Sequence, residues 1–120
     1  MVLVDTSVWV DHLRQNVPQL GDLLEAGEVT THPFVIGELA CGNLANRGEI
    51  LALLSALPLV QIVTHSEAMH VVDTNSLHGR GMGWVDVHLL ASARLSRVSI
   101  WTRDRRLQAA SKALGIGEKP

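Results

Sequence analysis

The chain has 120 residues, 47% of them apolar, with ten Lys and Arg against twelve Asp and Glu and a formal charge of −2. That length suits one domain, read as residues 1–120, and leaves no room for two separate cores. Its richest apolar run, "ILALLSALPLV", is short and broken by Pro58, which argues against a membrane-embedded chain.

In chain order, "VLV" reads as a buried strand and "SVWVDHLRQ" as an amphipathic helix. "PQLGDLLEAG" is a second helix, opened by Pro18 and stopped by Gly27. "EVTTH" is a short strand, and Pro33 opens the helix "FVIGELACGNL". "RGEILALLSAL" is a helix apolar around much of its girth, closed by Pro58. "LVQIV" reads as a strand, "HSEAMHVVDTNSLHGRG" as a helix ending in glycines, and "WVDVHLLASARLSR" as another helix. "VSIWT" is a strand, and "DRRLQAASKALG" a last helix ended by Gly115. Short aliphatic strands alternating with helices predict an α/β fold with a parallel sheet covered on both faces.

Charge is unevenly placed. Residues 1–60 carry seven acids against two bases, and residues 61–120 carry five against eight. A basic second half suits a polyanion, but Arg94 and Arg97 equally suit a helix C-terminus. Mean hydropathy is +0.20, high for a small soluble domain, so some apolar surface is expected to meet another chain. Cys41 is the single cysteine, which predicts no internal disulfide and fits a reducing cytoplasm. The first residues lack the basic segment of a secretion signal.

Asp5 poses the chemical question. It follows a buried strand at once, where desolvating a charge is expensive. A helix cap is one explanation, since Asp, Ser and Thr bond free backbone N–H groups. Asp104 before "RRLQAAS" and Asp86 near its helix start admit the same explanation. Glu38 resists it, because Val35, Ile36, Leu39 and Ala40 surround it and predict a helix packed on both sides. A buried carboxylate needs a partner, and no Lys or Arg lies between Arg14 and Arg47.

In parallel sheets, sites form beyond the carboxyl ends of the strands, where strand order reverses. Asp5 and Asp104 fall at such ends. If Asp5, Glu38, Asp86 and Asp104 converge, their repulsion calls for a divalent cation. Mg²⁺ and Mn²⁺ favour such oxygen ligands, and the chemistry then implied is metal-assisted hydrolysis of a phosphate ester.

"LVDTSVWVDHLR", "GEL" around Glu38, "GWVDVHLLASARL" around Asp86 and "IWTRDRRL" around Asp104 resemble the four acidic motifs of the PIN-domain family. The similarity is closest to its VapC-type toxins and runs from residue 2 to about residue 115. The resemblance implies a three-layer α/β/α sandwich with a small parallel central sheet. It implies a Mg²⁺- or Mn²⁺-dependent endoribonuclease that leaves a 5′-phosphate and a 3′-hydroxyl. It also implies a cognate antitoxin protein whose helix occupies a groove, and a homodimer. By position, Asp5, Glu38, Asp86 and Asp104 become the catalytic, metal-binding acids. Ser7 and Thr102 become hydroxyls that support them, with capping and strand filling as the other readings. Arg14, Arg80, Arg103, Arg105 and Arg106 are candidates to hold the RNA backbone, two or three of them in earnest. Some relatives carry a further acid near the third motif, where this chain has His88, so one metal or two is left open.

Other classes compete. Six histidines permit a metal-free ribonuclease using two imidazoles, but His12, His32, His65, His70, His78 and His88 show no paired spacing. A zinc hydrolase lacks "HExxH" or a Cys–His cluster. An aspartyl-nucleophile phosphatase also starts with a strand and Asp, but Ser7 replaces its second acid. A receiver domain wants an acidic pair and a late Lys. A degenerate binding module that kept the fold is the non-enzyme reading. Trp9, Trp84 and Trp101 are read as core anchors before base-stacking platforms. Leu20, Leu23 and Leu24 share one helix face, and Ile50, Leu53, Leu54 and Leu57 another.

Overall fold

The first strand, β1 (Val2–Val4), is buried at every residue, and it forms the middle of the sheet. It pairs in parallel with β2 (Val29–Thr30) on one side and β3 (Ser99–Trp101) on the other. Leu3 stands opposite both Thr30 and Ile100. A strand flanked by helices on both faces has no wet side, so "VLV" shows no alternation. The computed structural model of the protein describes residues 1–118. Single parallel bridges widen the sheet at its edges, Thr31 to Leu59 and Ile100 to Gly117.

Seven helices complete the described residues: α1 (Thr6–Gln15), α2 (Pro18–Glu25), α3 (Pro33–Ala40), α4 (Arg47–Ser55), α5 (His65–Thr74), α6 (Trp84–Ser96) and α7 (Arg105–Ala113). α1, α3 and α4 pack together, and so do α5, α6 and α7. The right-handed crossover expected of parallel strands puts these two groups on opposite faces of the sheet. The result is a three-layer α/β/α sandwich. α6 is buried without a break from Val87 to Ala93, because it lies under α5, α7 and the sheet.

Two expected elements differ. "LVQIV" is not a strand: only Leu59 makes a bridge. Val60 and Val63 are buried while Leu59 and Ile62 are exposed, and a strand would need a spacing of two. The helix expected over 65–81 ends at Thr74, where Ser76, Gly79 and Gly81 take left-handed backbone angles that no helix continues through. The helix expected over 34–44 likewise stops at Ala40. There the Arg47 guanidinium donates twice to the Ala40 carbonyl, at 3.2 and 3.0 Å, satisfying a free helix end.

This topology decides where chemistry gathers. β1 is the point from which the chain departs to opposite sides of the sheet, so a crevice opens at its carboxyl end. The N-termini of α1, α6 and α7 meet there.

Candidate active site

Asp5 occupies the N-cap position of α1, yet its side chain caps nothing. Its Oδ2 instead accepts from Ser7 Oγ at 2.9 Å and from Thr102 Oγ1 at 2.8 Å. Each hydroxyl is itself oriented by a backbone N–H. Arg103 donates to Ser7 Oγ and Asp104 donates to Thr102 Oγ1, both at 3.0 Å. These four bonds close the end of β1 onto the segment after β3. Neither hydroxyl engages Oδ1, so one oxygen of a buried carboxylate is anchored and the other stays available.

Asp104 does cap its helix. Its Oδ1 accepts from the N–H groups of Arg106 at 2.9 Å and Leu107 at 3.0 Å. Asp86 lies in the first turn of α6 and accepts from Gly83 N–H at a long 3.4 Å. Burial pushes the Asp86 carboxyl above its ordinary pKa, against the Gly83 bond that lowers it. The negative charges of Asp5, Asp104 and Glu38 push it further the same way. The other three predicted acids therefore all act on this one carboxyl.

Glu38 corrects an expectation. α3 buries only Val35 and Leu39, and Glu38 lies on its exposed side, so it is not a buried charge in search of a partner. Thr6 Oγ1 donates to Glu38 Oε1 at 2.9 Å and ties it to the start of α1. Sequence reasoning passed over Thr6; the unbroken run "DTS", with two hydroxyls after the first acid, was the available signal.

Among the described residues, no three His, Cys, Asp or Glu side chains stand close enough to grip one ion together. The donor set still suits a hard divalent cation. Mg²⁺ retains much of its water and takes one or two carboxylates directly, and a cation would relieve the repulsion felt by Asp86. The positive ends of α1, α6 and α7 already offset part of that charge.

The five arginines divide. Arg103 Nε pairs with Asp11 Oδ2 at 2.8 Å. Arg106 donates to the Gly81 carbonyl at 3.3 Å and lies over Gly81, where an added Cβ would come within 3.0 Å of its Nε. It thus fastens the loop that leads into α6 and Asp86. Arg14 shares a cleft with Thr6 and Glu38, Arg105 lines a polar cleft with Gln108, and Arg80 is exposed between α5 and α6. Trp9 and Trp101 belong to the core, whereas Trp84 does not.

His32 is buried and caps α3, its Nδ1 accepting from Phe34 N–H at 2.9 Å. Burial, and then the nearby His88, lower its pKa to about 4. Burial also lowers His88, with His65 adding to the effect.

A parallel sandwich with acids gathered beyond its central strand defines a class, and the PIN-domain family model matches residues 2–113. The chain belongs to the PIN-domain family. Ribonuclease VapC32 from Mycobacterium tuberculosis is 45% identical over 117 residues, covering 97% of this chain and 94% of that protein. The crystal structure of PAE2754 from Pyrobaculum aerophilum superposes with a TM-score of 0.65 at 20% identity, covering 92% of this chain and 79% of that one. FitAcB from Neisseria gonorrhoeae gives 0.65 at 18% identity, with 93% and 94% covered. These two likenesses are of fold.

Proposed function

We propose that this protein is a divalent-metal-dependent endoribonuclease, the toxin of a type II toxin–antitoxin pair, acting in the cytoplasm on RNA. The observation that carries the reading is the Thr102 hydroxyl, which joins Asp5 to Asp104 beyond the central strand, with the charges of Asp5, Asp104 and Glu38 felt at Asp86. The 45% identity to a protein named as a ribonuclease points the same way.

Asp5, Glu38, Asp86 and Asp104 would hold Mg²⁺ or Mn²⁺, directly or through water. The bound ion supplies an activated water and positive charge against the phosphodiester. The chain's own part is placement. Ser7 and Thr102 fix Oδ2 of Asp5 and leave Oδ1 to the ion. The Arg106 and Leu107 N–H groups fix one oxygen of Asp104 in the same way. Arg14, in the cleft it shares with Thr6 and Glu38, and Arg105, in the cleft with Gln108, would hold backbone phosphates.

An antitoxin helix would seat in the apolar cleft between α1, α2 and α4, lined by Trp9, Leu13, Leu24, Leu53 and Leu57 among others. A basic antitoxin residue entering the acid crevice would complete the inhibition. Exposed Leu95, beside the cleft between α5 and α6, belongs to a surface suited to a homodimer.

Purified protein, RNA and either Mg²⁺, Mn²⁺ or EDTA make the test, with Asp5→Asn alongside. Cleavage is expected with a metal and not with chelator. The substitution should cost more than the roughly 10–100-fold typical of losing a ligand's supporting partner. Cleavage unchanged by both chelator and substitution overturns the reading.

A further inference from the structure

Five rings from three helices and a cap form one row beside the acids. Trp84 and His88 lie one turn apart on α6 and meet edge to face, with centroids 4.7 Å apart and planes at 86°. Phe34 on α3 meets His88 at 5.2 Å and His32 at 4.8 Å. His65, which begins α5, meets Trp84 at 5.2 Å. His32 and His88 are buried, but Trp84 and Phe34 are 41% and 40% exposed. The row is anchored through its buried members and open at its two largest rings.

Leaving such rings in water forgoes the stabilisation that burial gives Trp9 and Trp101. Their position ties them to the acids. Phe34 and Glu38 are four residues apart on α3, so they share a face. Trp84 is joined to that face through His88, which touches both Trp84 and Phe34. A strand whose phosphate enters the acid crevice would carry its neighbouring base past these rings.

We propose that Phe34 and Trp84 form a stacking site for an unpaired nucleobase that flanks the phosphate in the crevice. The proposal rests on the ribonuclease reading for its substrate. Stacking on an aromatic face tolerates any base, and a base inside a helix cannot reach one.

The test reads binding, not turnover. A short single-stranded 2′-O-methyl oligoribonucleotide is titrated against the protein in EDTA, beside the same strand carrying an abasic position and beside its duplex. Binding is followed by tryptophan emission and by fluorescence anisotropy. The expected result is quenching on binding of the single strand, with Trp84→Ala and Phe34→Ala each weakening affinity by about 5- to 100-fold. Trp84→Phe, which keeps a ring, should recover most of the affinity. Thermal melting confirms that each variant folds. Affinity equal for the abasic strand or the duplex, or unchanged in both alanine variants, overturns the proposal. No binding by the wild-type protein overturns it too. So does conversion of a dimer to a monomer in light scattering on Trp84→Ala, which would make a second copy the occupant. Ring-dependent binding without cleavage under any metal sinks the ribonuclease reading and spares the stacking site. Cleavage with ring-independent binding does the reverse.

Discussion

Thr102 joins two acids with one hydroxyl, donating to Asp5 Oδ2 and accepting from Asp104 N–H. Thr102→Val keeps the shape and removes both bonds from a buried position. Leaving those groups unsatisfied should destabilise the fold by about 1–3 kcal/mol, seen in chemical denaturation, and lower cleavage roughly 10–100-fold. Asp86 makes a prediction about acidity. Its folded pKa lies above its unfolded one, so its contribution to stability is full below the unfolded value and is lost as pH rises through the folded value. At neutral pH the ionised carboxyl is therefore a net cost. Asp86→Asn should raise the metal-free melting temperature at neutral pH while abolishing cleavage. Mg²⁺ or Mn²⁺ should raise the wild-type melting temperature at neutral pH, and less so as acid protonates Asp86. Calorimetry with and without EDTA measures both; a metal effect that grows on acidification contradicts the assignment.

At the scale of elements, the cap of α3 titrates in the opposite sense. His32 is held neutral, with a folded pKa of about 4 against 6.5 for the free side chain. Its contribution is present above 6.5 and is lost as pH falls through about 4. Asn caps a helix without taking up a proton. His32→Asn should therefore flatten the acid limb of the stability profile, by up to about 3 kcal/mol, in denaturant titrations across that window. An unchanged limb assigns acid sensitivity elsewhere. Local pattern served well where it was strong: "VLV", Pro18, Pro33 and Gly115 marked their elements. It failed where apolar content and spacing disagreed. "LVQIV" has a strand's composition but buries Val60 and Val63, three apart. The face on which Glu38 points was hidden because α3 is apolar on its exposed side too. The row from Phe34 to His88 and the clasp of Arg106 on Gly81 join residues far apart in sequence, and no local rule reports such meetings. The four acids were legible through their motifs, and so were two of the three hydroxyls bonded to them, Ser7 and Thr102; Thr6 was the one unread.

For the whole molecule, one prediction concerns α4. Leu53 is 62% exposed at the rim of the apolar cleft, so Leu53→Glu should alter folding stability by no more than about 0.5 kcal/mol. It should nonetheless weaken capture of the cognate antitoxin at least roughly tenfold, by desolvating a charge at the seat. Isothermal titration checks the affinity, and an unaltered value moves the antitoxin to another face.

Asp5 receives its hydroxyl from a residue 97 positions later in the chain. During synthesis the ribosome releases the first acid long before its support, its central strand's second neighbour, or the fourth acid exist. A nascent chain thus carries an unfinished blade, edged only after the segment from Thr102 to Asp104 has emerged and closed on Asp5.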